Sequence, residues 1–486
     1  MTVTAELRTV GNVIGGEERA ASGGGTFEKL GPATGEPISR VARSSADDVA
    51  AAVAVAEAAQ PAWAARPVEE RGRLLRRVAQ LLERDRERVA AVVSAETGKS
   101  PKDAKGETDG AIELGYFVAG EGRRFYGRTM PSATPNRSAM TIRQPLGVAG
   151  LIIAANTPIA NVAWKVFPAL LCGNAAVLKA SEDAPETANV FAELAAEAGL
   201  PPGVLNVVHG FGEEAGQPLV EDPGVAVVSF TGSTSVGRLI ARVAGERLAK
   251  VCLELGGKNP LVVCDDADLE RAAEAAALSA FSNAGQRCAA GSRLIVFDAV
   301  YDRFRELLVE RARGQKVGPD DEHDFGPVIN ERQLEHMLAA VERAKAAGAT
   351  VVTGGERLDR PGFYIAPTIV EGAAADSEIS CTELFGPITT LHRVEGFEEA
   401  LSVANASPYG LTAAIWTSSI HRGQEFVRSI VAGGVQVNGP TYGFEPHVPF
   451  GGQRDSGTGW REPGTEALDV YSDWKTVYVT HDPASV

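Results

Sequence analysis

The sequence predicts an α/β protein built on parallel sheets and divided into more than one domain. Three observations carry this. From Val148 onward, short β-branched runs alternate with Ala-rich stretches of helical character. The runs are apolar almost throughout, as strands covered by helices on both faces must be. The chain, at 486 residues, exceeds what one ordinary core accommodates.

Residues 45–63 and 67–97 read as helices. Ser45 suits the N-cap of the first, with Asp47 and Asp48 in its opening turn. In the second, Leu74, Leu75, Val78, Leu81, Leu82, Val89 and Val92 recur at helical spacing between Arg and Glu. Strand-like runs follow at 148–154, 175–179, 204–208, 225–230 and 251–255, with helices starting near Pro158, Ala184, Glu213 and Ser235. Ligands bind such sheets beyond the carboxyl ends of the strands. In a second series, runs at 261–263 and 294–297 flank a helix over 268–283. Further runs lie at 350–353, 411–417 and 434–438. Residues 471–480 alternate as a terminal strand, whose open edge needs a partner. Residues 144–164 carry no charge and are long enough to span a bilayer. Pro145, Gly147, Gly150, Asn156, Pro158 and Asn161 punctuate them, so a strand, a tight turn and a buried helix explain them better.

Charge and composition exclude several functions. The balance of 47 − 63 = −16 repels nucleic acid and anionic membranes, and no basic tract interrupts it. The five cysteines (Cys172, Cys252, Cys264, Cys288, Cys381) are odd in number and widely spaced. They form neither a disulfide framework nor a zinc pattern, which fits reduced thiols in a cytoplasmic compartment. The seven histidines are dispersed without a His-Glu-x-x-His pattern, so no metal is expected. Residues 1–16 lack the profile of a signal peptide.

The chemistry concentrates in a few segments. Cys288 lies in Gly285-Gln286-Arg287-Cys288-Ala289-Ala290-Gly291, where small residues leave room at sulfur. A lone cysteine is usually a small buried hydrophobe, which suffices for Cys172, Cys252 and Cys264 but not for this context. A thiolate is the better nucleophile, so Arg287 or a helix N-terminus is expected to favour the anion. Glu254, 288 − 254 = 34 positions upstream, ends an apolar run before Gly256-Gly257-Lys258-Asn259-Pro260. It is either a solvated strand end or a carboxylate aimed into a pocket, where burial would raise its pKa toward neutrality. Asn156 sits at a strand-to-helix turn, ordinarily turn chemistry. Phe230-Thr231-Gly232-Ser233 follows a strand and opens a helix, the context for a pyrophosphate at a helix N-terminus, though Gly232 and Gly237 do not make the standard dinucleotide fingerprint.

Together these segments resemble the active site of the NAD(P)-dependent aldehyde dehydrogenase superfamily. The resemblance runs from about Gly31 to Val479. It implies a Rossmann-like cofactor domain at 1–126 and 142–256, a catalytic domain at 257–456, and an oligomerisation arm at 127–141 and 457–486. It also implies a homodimer or homotetramer. It assigns Cys288 as nucleophile, Glu254 as the base that activates water, and Asn156 as oxyanion donor. Lys165 and Glu462 would sit nearby in a proton relay. The asparagine's neighbours depart from the usual Pro-Trp-Asn-Phe-Pro, with Thr157 replacing an aromatic.

For the cofactor, the resemblance places Lys179 and Glu182 on the adenosine ribose. Glu182 would repel a 2′-phosphate, so NAD is favoured over NADP. Ile152, Ile153, Ser181, Gly212, Gly216, Phe230, Thr231, Gly232, Ser233, Val236, Leu255 and Gly256 would complete that side. Glu383 and Phe385 would meet the nicotinamide end. Thr157, Trp164, Phe444 and Phe450 would line the substrate tunnel. Arg287 and His447 would meet a carboxylate if the substrate is a semialdehyde; an aromatic or aliphatic aldehyde is the other expectation. Three alternatives remain: a CoA-acylating dehydrogenase, a thiol hydrolase that never uses NAD, and a non-enzymatic relative.

Overall fold

A computed structural model describes residues 7–485. Residues 1–6, part of the stretch read above for a leader, and Val486 lie outside the described residues. Among the described residues, no helix is long and apolar enough to cross a membrane. The uncharged stretch at 144–164 supplies the strand Val148–Ile152 and the first half of the buried helix Pro158–Leu171.

Two seven-stranded sheets organise the chain. The first runs in space Lys250–Glu254, Val225–Thr231, Val148–Ile152, Ala175–Lys179, Leu205–Val208, Asn12–Ile14, Glu17–Arg19. Its first five strands are parallel. They were visible as apolar runs because both faces are covered. Ala149, Leu151, Ala176 and Leu178 join one core, while Val148, Ala175 and Val177 join another. Strand order reverses between Val148–Ile152 and Val225–Thr231, which opens a crevice beyond Ile152 and Thr231.

The second sheet runs Thr350–Thr353, Thr368–Glu371, Ile388–Val394, Gly291–Phe297, Asn259–Val263, Thr412–Trp416, Gly434–Val437. All neighbours are parallel except the first pair. The expectation of two parallel sheets is thus corrected at the edges, since antiparallel strands extend both. The last strand of the first sheet passes to the first strand of the second across residues 255–258.

The helix expected over 67–97 is two, Val68–Arg84 and Arg86–Thr97, broken at Asp85 (φ −98°, ψ 16°). Leu82 and Val89 are seven residues apart, about two helical turns, so the apolar period runs through the break and hides it. The helix expected over 268–283 is Leu269–Phe281, with Asp268 accepting from the Arg271 amide at its start. It stops because Asn283, Ala284 and Gly285 are left-handed, with φ of 55°, 54° and 65°. These residues turn the chain into the loop that carries Cys288. The C-terminal strand Ser472–Thr480 pairs antiparallel along its whole length with Arg137–Pro145, which also pairs with Thr129–Met130.

Candidate active site

Beyond the carboxyl ends of the first sheet, a cavity of about 460 Å³ is lined by Asn156, Glu254 and Cys288. Three distant stretches of chain meet there. Asn156 stands in the turn between Val148–Ile152 and Pro158–Leu171. One N–H of its side-chain amide donates to the Gln286 carbonyl at 3.2 Å, and its Oδ1 accepts from Asn161 at 3.4 Å. An amide carries two N–H donors. With one aimed at the loop of Cys288, the other remains for the cavity.

Cys288 is half-buried, in a turn just before Gly291–Phe297. It is not at a helix N-terminus, which corrects one of the two expected sources of thiolate. Burial pushes its thiol up to about 12, and the facing carboxyls of Glu383 and Glu254 add to this. The Ala289 amide and Arg287 pull the other way and are outweighed. The loop is held from the second sheet. Asn259 donates to the Cys288 and Ala290 carbonyls at 2.8 and 2.9 Å, and Thr441 donates to the Ala289 carbonyl at 2.6 Å. The sequence reading passed over Asn259, although it stands within the Gly256-to-Pro260 segment.

Glu254 is buried at 4% exposure, so the solvated strand end is ruled out. Neither carboxyl oxygen has a hydrogen-bond partner among the described residues. Burial holds it well above the usual carboxylate range, Glu462 adds to that, and Lys165 and Arg461 oppose it. Lys165 and Glu462 form a buried ion pair at 2.8 Å, with Ser229 bonded to both. Tyr471 donates to Glu462 at 2.6 Å. The pair thus adjoins Glu254 without lining the cavity.

The same cavity is lined by Thr231, Gly232, Ser233, Leu255, Gly256 and, across from them, Glu383 and Phe385. Ser233 also lines a second cavity of about 310 Å³ with Ile152, Ile153, Lys179, Glu182 and Phe230. Gly212, Gly216 and Val236 also line it. Of the expected cofactor residues, Ser181 alone lines neither cavity; its hydroxyl accepts from the Asp183 amide at 3.3 Å. The donor set fits a dinucleotide. The Thr231 hydroxyl is buried without a partner among the described residues. Val236 and Leu239 leave 43% and 39% of their surface open beside the second cavity, an apolar slot for a flat ring. Lys179 and Glu182 pair at 3.0 Å at the rim. Burial is the largest single influence and pushes Glu182 up, but the Lys179 charge, hydrogen bonds from the Glu182 amide and Lys179, and the Arg332 charge together outweigh it, and the carboxyl sits below its usual range.

A profile of the aldehyde dehydrogenase family matches residues 19–477. The chain belongs to the aldehyde dehydrogenase family. It is similar to the alpha-ketoglutaric semialdehyde dehydrogenase of Bacillus subtilis (strain 168), 40% identical across 99% of this chain and 100% of the relative. The 2,5-dioxopentanoate dehydrogenase of Saccharolobus solfataricus is 39% identical across 91% of this chain and 93% of its own. Among solved structures, betaine aldehyde dehydrogenase from Staphylococcus aureus in complex with NAD⁺ superposes with a TM-score of 0.95. It is 32% identical, over 97% of this chain and 95% of that one. This aldehyde dehydrogenase is therefore an NAD(P)-dependent oxidoreductase.

The family site has an aromatic wall here. Trp164 and Phe450 line the cavity with ring centroids 5.7 Å apart. Phe444 stacks behind Phe450 at 5.2 Å and does not reach the lining. Thr157 lines it, joined by Asn161, which sequence reading did not single out. Arg287 and His447 are not brought to it. Arg287 lies over the Tyr442 ring at 4.7 Å, and His447 is exposed beside Glu445 at 3.5 Å. Arg332, Gln333 and His336, on the helix Glu331–Ala346, line the cavity instead. The capping sequence Asn330-to-Gln333 announces that helix, but nothing in it announces a site.

A thiol pushed up to about 12 is protonated across the neutral range, and its thiolate fraction rises with pH. Iodoacetamide labelling of Cys288 in the cofactor-free enzyme should accelerate roughly tenfold per pH unit from about pH 7 to 10, without the plateau near ~8.5 of a free thiol. Peptide mass spectrometry against time checks this; a plateau near the free value contradicts it.

Proposed function

We propose that this enzyme oxidises an aldehyde to its carboxylic acid with NAD, through a thioester on Cys288. The observation that carries the reading is that sulfur, carboxyl and carboxamide share one cavity of about 460 Å³. The Cys288 thiol passes its proton to solvent water, and its sulfur bonds to the aldehyde carbon as the carbonyl π bond opens to an oxyanion. The second N–H of Asn156 stabilises that oxyanion; one such donor is worth ~10²–10³ in rate. Lys179, Glu182, Ser233 and Glu383 would hold NAD across the two cavities, and the bound cofactor would supply the acceptor for the hydride whose loss from the adduct leaves the thioester. Glu254 then takes a proton from water as the water attacks the acyl carbon, and the thiolate leaves. The Lys165–Glu462 pair tunes Glu254, since its two ends push that carboxyl in opposite directions. A charged Glu182 disfavours a 2′-phosphate, which supports NAD over NADP.

A short semialdehyde with a polar tail is the proposed substrate. Thr157 and Asn161 supply polar lining where the usual aromatic is absent, and the two relatives above are named for such a substrate. A panel of semialdehydes, aliphatic and aromatic aldehydes, scored by NADH absorbance, tests it. The semialdehyde should give the highest kcat/KM; a strong preference for an aromatic aldehyde would refute the assignment.

The units expected from sequence are retained as a proposal: 1–126 with 142–256 for the cofactor, 257–456 for catalysis, 127–141 with 457–486 as the arm. The outer edge of Ser472–Thr480 has no partner among the described residues. Trp474, Tyr478 and Val479 on it are 45%, 56% and 49% exposed. These features support a homo-oligomer closed through that strand, and light scattering should give a dimer or tetramer mass. All five cysteines are free, which supports a reducing, cytoplasmic setting, to be checked by cell fractionation.

Cys288→Ala should abolish oxidation while NAD binding, read by titration, stays nearly intact. Glu254→Gln should release a burst of about one NADH per active site and then stall, as an accumulating acyl-enzyme requires. Steady turnover without a burst would remove Glu254 from deacylation.

A further inference from the structure

A buried ion pair outside the machinery described so far holds the asparagine turn from behind. Lys99 and Glu107 are 4% and 5% exposed at their side chains and contact each other. Lys99 Nζ also donates to the backbone carbonyl of Asn156 at 2.8 Å. Glu107 Oε1 accepts from the backbone amides of Ile159 and Ala160, at 2.9 and 3.3 Å, in the first turn of Pro158–Leu171. The pair therefore grips the chain on both sides of Asn156-Thr157-Pro158.

Lys99 is itself fixed. It stands in the three-residue connection between Arg86–Thr97 and the helix Pro101–Gly120, and the Ser94 hydroxyl donates to its carbonyl at 2.7 Å. Gly98 beside it is left-handed, and a Cβ there would come within 2.5 Å of Pro327. The Pro327 carbonyl in turn accepts from Gln286 at 3.4 Å, and the Gln286 carbonyl accepts from the Asn156 side chain. The carboxamide is thus set from its backbone by Lys99 and from its tip by the loop of the nucleophile.

We propose that Lys99 and Glu107 are positioning residues that fix the Asn156 carboxamide for the oxyanion. This rests on the reading of Asn156 as oxyanion donor. An amide rotated away from the developing charge still admits aldehyde and cofactor, so the effect falls on kcat rather than KM.

The test replaces the pair together, so that no lone charge is left buried. Lys99→Met with Glu107→Gln keeps an acceptor for the Ile159 and Ala160 amides but leaves the Asn156 carbonyl without its donor. Kcat should fall roughly tenfold or more, with aldehyde KM and NAD affinity within about twofold. Lys99→Gln with Glu107→Gln, which restores a neutral donor, should recover most of the loss. Combined with Asn156→Ala, the Met/Gln pair should slow the enzyme no further, because both act on the same oxyanion. If the Met/Gln pair does not fold, Glu107→Asp carries the test: it keeps both charges but shortens the reach, and should lower kcat alone and non-additively with Asn156→Ala. Full activity of the pair, additive losses with Asn156→Ala, or a loss confined to thermal stability would overturn the proposal. An Asn156→Ala variant with near-normal kcat would instead overturn the oxyanion assignment on which it rests.

Discussion

The site depends on the close approach of backbone where the two sheets join, and on side chains that are missing there. A Cβ on Gly256 would lie 1.8 Å from Glu383 Oε2, and one on Gly257 would lie 2.7 Å from the Cys288 carbonyl. A Cβ on Gly285 would lie 2.1 Å from the Gly386 carbonyl. Real Cβ atoms do not tolerate such distances, so a side chain at Gly257 or Gly285 would force backbone to shift, and one at Gly256 would displace the Glu383 carboxyl. Gly285 is doubly constrained, since its φ of 65° also disfavours a side chain. The result is that the loop of the nucleophile, the strand end carrying Glu254 and the segment carrying Glu383 face one small volume.

That crowding sets the electrostatics. Desolvation is the largest influence on Cys288, Glu254 and Glu383 alike, and each is shifted toward its neutral form, Glu383 to about 7. Glu254 and Glu383 both raise the thiol, so the three acids cannot all be charged at once without large mutual repulsion. The cavity therefore disfavours more than one charge at a time. Charge must be admitted in sequence, which suits a cycle in which a thiolate is needed first and a carboxylate later. Behind Glu254, the buried Lys165–Glu462 pair is anchored by Ser229 and Tyr471, so its opposing influences are held at fixed positions.

Sequence revealed the parts whose signal is local. The five parallel strands of the first sheet are apolar at nearly every position, and Cys288 stands in a segment with few structural excuses, whereas Glu254 and Asn156 each had an ordinary structural reading that only the family resemblance displaced. It concealed what depends on tertiary neighbours. Ile388–Val394 contains Thr389, Thr390 and His392, which look solvated but are buried, with Thr389 donating to the Gly291 carbonyl at 3.1 Å. Arg287 was expected to meet a semialdehyde's carboxylate, yet neighbours in an extended or turning chain point apart, and it turns to Tyr442. Lys99 and Glu107 carry no local signal in the sequence. Their burial follows from how Pro101–Gly120 packs on Pro158–Leu171, which no periodicity in either helix discloses.

The same logic explains which helix is left to meet an anion. Three helices that follow strands of the first sheet begin at Pro158, Pro185 and Thr234, and each presents unpaired amides at its start. At Pro158 those amides are taken by Glu107. At Pro185, buried Glu96 accepts from the Glu186 and Thr187 amides at 2.6 and 3.0 Å. Burial raises Glu96 to about 7, opposed by these hydrogen bonds and by the charge of Lys29. Two of the three positive helix ends are therefore neutralised from within the protein. At Thr234 no side chain caps the helix, and Ser233 before it lines both cavities. A pyrophosphate entering this crevice finds the helix start at Thr234 open to it, and that start lies between the apolar slot and the cavity of Cys288.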